Sequence, residues 1–280
     1  IAIGNGATAS EDNSIAIGSD NLSYGKKTVA SADDTIAIGF GAPASNIGDI
    51  AIGSGNNNRN VETIASGGRS IAIGSYLTQA TGSSSIAIGS NTRATAKYSI
   101  AIGSDIVVSG EYSNSFGYNS VTNADRANAF GGNAHAWKEG SNAFGDNATA
   151  AGVESNAIGS RAITVSEEIY YTPGGYNNAF GNDSRADGWY CNAIGYSAEA
   201  GDYSDVIGAQ AQASQYSEAI GYWTKANFNN SVALGAKSIV TEANTVSVGY
   251  DGTGTYYYPD DSVAVAFQRR IVNVDAADTN

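Results

Sequence analysis

Large apolar, small and polar residues follow one another along this chain in a fixed order that restarts about every fourteen positions. The marker is a pentapeptide of the form Ser-Ile-Ala-Ile-Gly, whose closing glycines fall at Gly4, Gly18, Gly39, Gly53, Gly74, Gly89, Gly103, Gly117, Gly131, Gly145, Gly159, Gly181, Gly195, Gly208, Gly221, Gly235 and Gly249. Most intervals are 14 residues, two are 13, one is 15 and three are longer. A helix pair or a propeller blade needs a repeat of roughly 30 residues or more, so each unit is predicted to be one turn of a β-solenoid.

Counting from each glycine lines the coils up in columns. Position −1 is never polar: Ile3, Ile17 and Ile38 lead to Phe116, Phe130 and Phe144, then to Ile158, Leu234 and Val248. Position −2 is Ala in most coils and Ser at Ser115 and Ser247, with Val206 its only larger member. Successive strand residues face opposite ways, so the large and small columns lie on opposite faces of one strand, and both faces are covered. Positions +3 and +5 are again small, as in Ala134 and Ala136 or Ala148 and Ala150. Between such pairs stand Thr8, Pro43, Arg93, His135, Arg185, Glu199, Gln212 and Lys225, which alternate outward in a second, half-wet strand.

Two strands of about five residues leave about two positions for each connection, which brings the sheets much closer than the roughly 10 Å of ordinary face-to-face packing. The alanine columns are therefore assigned to the interior and the Ile/Phe column to the outside. An outward stripe of large apolar residues requires cover from other chains. The opposite assignment, Ile inside and Ala between chains, satisfies the same alternation. Position −3 is Ile from Ile1 to Ile100, Asn from Asn114 to Asn192, then Asp205 and Glu218, then Val232 and Val246. At the edge of a contact between chains such asparagines would stack as amide ladders about 4.8 Å apart; a simply solvated column is the alternative.

Composition narrows the picture. The repeat spans residues 1–249 of 280, which makes one elongated domain with a C-terminal appendage, 250–280. Thirty-five glycines at fixed phase against three prolines indicate ordered, repeated turns. A formal charge of −13 disfavours nucleic acid, polyanions and anionic bilayers as partners of the shaft and favours a protein receptor or a neutral glycan. The lone Cys191 stands at a turn position where other coils carry Ser, and is expected to be a small polar substitute that leaves no intrachain disulfide. No apolar run of 18 residues is present and the sequence opens in mid-motif, so membrane attachment is expected in segments outside it.

Catalytic, metal and cofactor chemistry find no foothold. His135 is the only histidine and sits at a wet position, which excludes a histidine-based triad within one chain. The pairs Asp33-Asp34, Glu167-Glu168 and Asp260-Asp261 lie in connections and read as solvated charge. Binding candidates are the aromatic expansion Ile169 to Tyr176, with Tyr170, Tyr171, Pro173 and Tyr176, and the exposed-aromatic run Tyr256, Tyr257 and Tyr258. A tyrosine column at position −5 (Tyr98, Tyr112, Tyr176, Tyr190, Tyr203, Tyr216) reads as a stacked corner that stiffens the rod.

A 14-residue repeat ending Ser-Ile-Ala-Ile-Gly and followed by an Ala-x-Ala strand resembles the YadA-like head of bacterial trimeric autotransporter adhesins. The resemblance implies an all-β, left-handed parallel β-roll, three identical chains about one axis, and display on a bacterial surface by an outer-membrane anchor. Asn244 to Gly249 and Arg269 to Val274 look like the two halves of that family's neck, which narrows the roll onto a coiled-coil stalk; here an insertion, 250–268, separates them. By the same resemblance Arg269, Arg270 and Asn273 are expected at contacts between chains. The function implied is multivalent, non-catalytic attachment to host matrix, a cell-surface protein or glycan, or other bacteria. A trimeric polysaccharide-degrading solenoid of the phage-spike kind is the enzymatic alternative, although the wet +4 column lacks the facing carboxylate pair it needs. A purely structural spacer is the third reading.

Overall fold

The computed structural model describes residues 1–19, 25, 27–54, 62–165 and 175–250, with the short strand Phe267–Gln268. Within them the chain is a parallel β-solenoid whose coils each add one strand to either of two sheets, of 17 and 15 strands. Register is one to one: Ile86, Ala87, Ile88 and Gly89 pair with Ile100, Ala101, Ile102 and Gly103 of the next coil. The three long intervals leave this unchanged, since Ile15 pairs with Ile36, Ile50 with Ile71 and Asn156 with Asn178. The ladder therefore keeps its register across each long interval.

The interior is built of small side chains. Ala16, Ala37, Ala87, Ala129 and Ala193 from the first sheet are fully buried, as are Ala44, Ala94, Ala136 and Ala186 from the second. Between the two walls, Ser115 and Ser120 share a hydrogen bond of 2.7 Å between hydroxyls, a separation that leaves no room for interdigitated large residues. The Ile/Phe column accordingly points away from the interior, which decides between the two assignments that the alternation allows.

Strand lengths differ from the expected five. The second sheet has strands of only two or three residues, such as Arg93–Ala94 and Arg185–Asp187. In the first sheet, five-residue strands such as Ile86–Ser90 give way to three-residue ones from Asn128–Phe130 onward. Among the five-residue strands, a buried threonine hydroxyl can donate to the glycine carbonyl of the next coil, as from Thr78 to Gly89 (2.7 Å) and Thr92 to Gly103 (2.9 Å). Among the three-residue ones, the glycine carbonyl can accept instead from the backbone N–H three residues on, as from Ala148 to Gly145 and Ala162 to Gly159.

Two corners close each coil, and both use left-handed backbone. One lies at +2, as at Asn91, Asp105, Asn119 and Asn133; the other at −5, as at Ser84, Tyr98 and Tyr112, with φ between 50° and 57° for these residues. The −5 corner is tied from within by the Ser column at −4: Ser99 donates to the Ala96 carbonyl at 2.6 Å, and Ser204 to Gly201 at 2.7 Å. Past the last coil, Gly249–Tyr250 pairs antiparallel with Phe267–Gln268, so the two ends of the expected insertion meet.

Candidate binding surface

Three surfaces carry side-chain chemistry outward. The first is the face of the first sheet opposite the alanines. On it the −1 column stands partly in water, with Ile17, Phe144, Ile158, Ile194, Ile207 and Ile220 between 36% and 47% exposed. Phe116, Phe130 and Phe144 stack face to face at 4.6 and 4.7 Å, the rise of one coil. Beside them the −3 asparagines form the amide ladder. Asn114 donates to Asn128, Asn128 to Asn142, Asn142 to Asn156, Asn156 to Asn178 and Asn178 to Asn192, at 2.7 to 2.9 Å. Asn192 then donates to Asp205 at 2.6 Å. This bears out the ladder, since each amide bonds to the next without a break over six coils.

The second surface is the −5 corner. Tyr176, Tyr190, Tyr203 and Tyr216 stack at 5.1, 5.8 and 5.1 Å, and Tyr98 on Tyr112 at 5.0 Å with the Lys97 ammonium over the Tyr98 ring. The stacked faces are occupied by neighbouring rings, so the corner offers edges and hydroxyls outward. Tyr176, the one member of the aromatic expansion among the described residues, heads the four-ring stack and donates its backbone N–H to Val153 at 2.8 Å. Its ring therefore belongs to the corner column. Tyr170, Tyr171, Pro173, Tyr256, Tyr257, Tyr258, Arg269, Arg270 and Asn273 lie outside the described residues.

The third is a shallow depression on the wet face of the second sheet, lined by Arg185, Asp187, Glu199, Gln212, Ser214 and Asn227. Column reading along +4 missed it because Asp187 stands at +6, on the coil of Arg185. Its two carboxylates are already engaged, Asp187 by Arg185 at 2.7 Å and Glu199 by Gln212 at 2.9 Å. Elsewhere His135 packs edge-on against Trp137. Arg161 forks Asp183 on the next coil, which holds that carboxyl below its ordinary range. Among the described residues no three His, Cys, Asp or Glu side chains gather as a metal site.

Cys191 occupies the Ser column as expected; that column faces inward, and the side chain is fully buried like Ser99 and Ser113. Burial, helped by the negative charges of Asp202 and Asp187, pushes the thiol up to about 12 from 9.0.

One comparison with known proteins bears on this geometry. The family model described as the YadA head domain repeat matches residues 1–21, 25–42, 30–56, 80–105, 215–238 and 229–251. The unmatched centre, where Asn and Phe replace Ile, continues the same coils in the same register. The fold and its repeats define a parallel β-solenoid of about 14-residue coils. Over the matched stretches the chain carries YadA head domain repeats, and it resembles a YadA-like head. Among solved structures, the collagen-binding domain of the Yersinia adhesin YadA aligns over 65% of this chain and 78% of its own length, at 22% identity and a TM-score of 0.25. A likeness at that level carries no argument, and the assignment rests on the repeats. No curated protein matches the chain.

Proposed function

We propose that this chain is the head of a homotrimeric bacterial surface adhesin that attaches to host matrix, a host cell-surface protein or glycan, or other bacteria, without catalysis. The observation that carries the reading is the stripe of half-exposed Ile and Phe running along an alanine-filled rod built of YadA head repeats. Covering one such Ile is worth roughly 1 kcal/mol at about 25 cal/mol per Å² of apolar surface, and the stripe repeats in every coil. Two sister copies supply that cover, and the seam they share is continuous.

The −5 aromatics, the second-sheet depression and the three long intervals then remain for recognition, in three copies on one stiff support. Weak sites repeated in this way gain avidity without a deep pocket. Residues 250–280 are read as the neck, with Arg269, Arg270 and Asn273 at contacts between chains, and anchorage to the outer membrane as supplied by segments beyond it. The left-handed sense of the roll belongs to this reading too. The test is binding of the purified 280-residue chain to a panel of immobilised matrix proteins, collagen among them, and to a glycan array, with turnover followed in parallel. Saturable binding without product release supports an adhesin. Product release from a polysaccharide, or no binding to any surface or cell, contradicts it.

A further inference from the structure

We infer that Asp205 sets the direction of the amide ladder and holds it in one sense from Asn192 back to Asn114, six coils from Asp205. A carboxamide presents a donor and an acceptor of nearly the same shape, so a stack of asparagines alone has two head-to-tail arrangements of equal chemistry. An ionised carboxylate has no hydrogen to give. Asp205 pairs in register with Asn192 and takes its Nδ2 hydrogen at 2.6 Å. With Nδ2 committed toward Asp205, Asn192 offers only Oδ1 to the coil before it, where Asn178 donates at 2.7 Å. The constraint passes from coil to coil until Asn114, whose Nδ2 donates to Asn128 at 2.8 Å. Beyond Asn114 the register partner is Ile100, which has no polar side-chain atom, so that end imposes no direction.

The same chain holds a control. On the second sheet Gln212 donates at 2.9 Å to Glu199, which lies on the preceding coil, so this amide points the opposite way along the rod. At the +2 corner Asn91 donates at 2.8 Å to Asp105 on the following coil. In these two pairs the amide points to its carboxylate, whichever way along the rod that lies. Six amides aligned head to tail add their dipoles, with the donor end at Asp205. A carboxylate there is favoured for the reason that acidic side chains are favoured at helix N-termini. Asp205 is therefore a positioning residue for a whole column of the outward face. The inference needs only the geometry within one chain and stands independently of the trimeric reading.

Glu218 follows Asp205 in register and shapes the test. In Asp205→Asn the new amide can donate to Glu218, so the anchor moves one coil along and the sense is kept. In Asp205→Val, the residue type found at Val232 in the same column, the anchor is lost. The experiment is side-chain amide NMR of the full chain, deuterated and labelled with 15N-asparagine, with the backbone spectrum reporting that each variant is folded. Asp205→Val is expected to shift or double the side-chain signals of Asn114 and Asn128. Asp205→Asn leaves them single, and Asp205→Asn with Glu218→Val shifts or doubles them again. Signals of Asn114 and Asn128 unchanged in folded Asp205→Val, with only Asn192 responding, would overturn the inference and leave Asp205 a local partner.

Discussion

The carbonyl oxygen of Gly117 occupies the space in which a side chain on Gly103 would begin: a Cβ there would stand 1.8 Å from it. The glycine's φ of 141° lies in a region that only glycine enters at low cost. The same relation recurs up the column, as between Gly89 and Gly103. The invariant glycine is thus the condition for stacking one coil on the next at strand spacing.

Gly103→Ala is expected to destabilise the folded chain by at least about 3 kcal/mol, since backbone strain of about 1–3 kcal/mol adds to a clash with main chain that cannot rotate away. Thermal denaturation compared with Gly132→Ala checks it. Gly132 is off the column, and a Cβ there meets only the Asp146 side chain within 3.0 Å. Equal losses in the two variants would contradict the stacking explanation.

Thr122 and Val108 are register partners in the interior wall of the second sheet, similar in shape and both fully buried. The Thr122 hydroxyl has no hydrogen-bond partner. Thr122→Val is expected to stabilise the protein by about 1–2 kcal/mol, the desolvation cost of an unmade hydrogen bond. Chemical denaturation measures the gain; a loss would mean that the hydroxyl is satisfied.

The repeat made much of this legible. Because the interior is filled mainly by small residues, the alternation of Ala16 with Ile15 and Ile17 announced both the strand and its two faces. Asn114 to Asn192 announced a ladder because an amide carries its own donor and acceptor. Strand length was not legible: the glycine carbonyl is taken by the Thr92 hydroxyl in one coil and by the Ala148 backbone N–H in another, a difference that hydrophobic pattern does not register. The left-handed backbone at Tyr98, Tyr112, Tyr190 and Tyr203 was hidden too, since tyrosine gives no turn signal, and stacking against the next ring accompanies that conformation. Asp187 and Glu199 escaped because they reach one depression from different columns.

Cys191 makes a prediction in pH. Its folded value of about 12 lies above the ordinary 9.0, so below pH 9 both states hold the proton and the full contribution is present. Between pH 9 and about 12 the unfolded chain releases the proton while the folded chain keeps it, and stability falls by at most about 1.4 kcal/mol per pH unit. Urea denaturation from pH 8 to 11 should show a shallower decline for Cys191→Ser than for the parent. Parallel declines, or rapid alkylation of the native thiol at pH 8, would contradict the buried placement.

Ile207 and Phe144, half in water on a single rod, return the question to assembly. Sedimentation equilibrium of the 280-residue chain at micromolar and nanomolar concentration measures it directly. A mass three times the 28.5 kDa of one chain, held on dilution, is the expected result. A folded, soluble species of 28.5 kDa at both concentrations would show that the apolar stripe needs no partner, and the trimeric adhesin reading would fall with it.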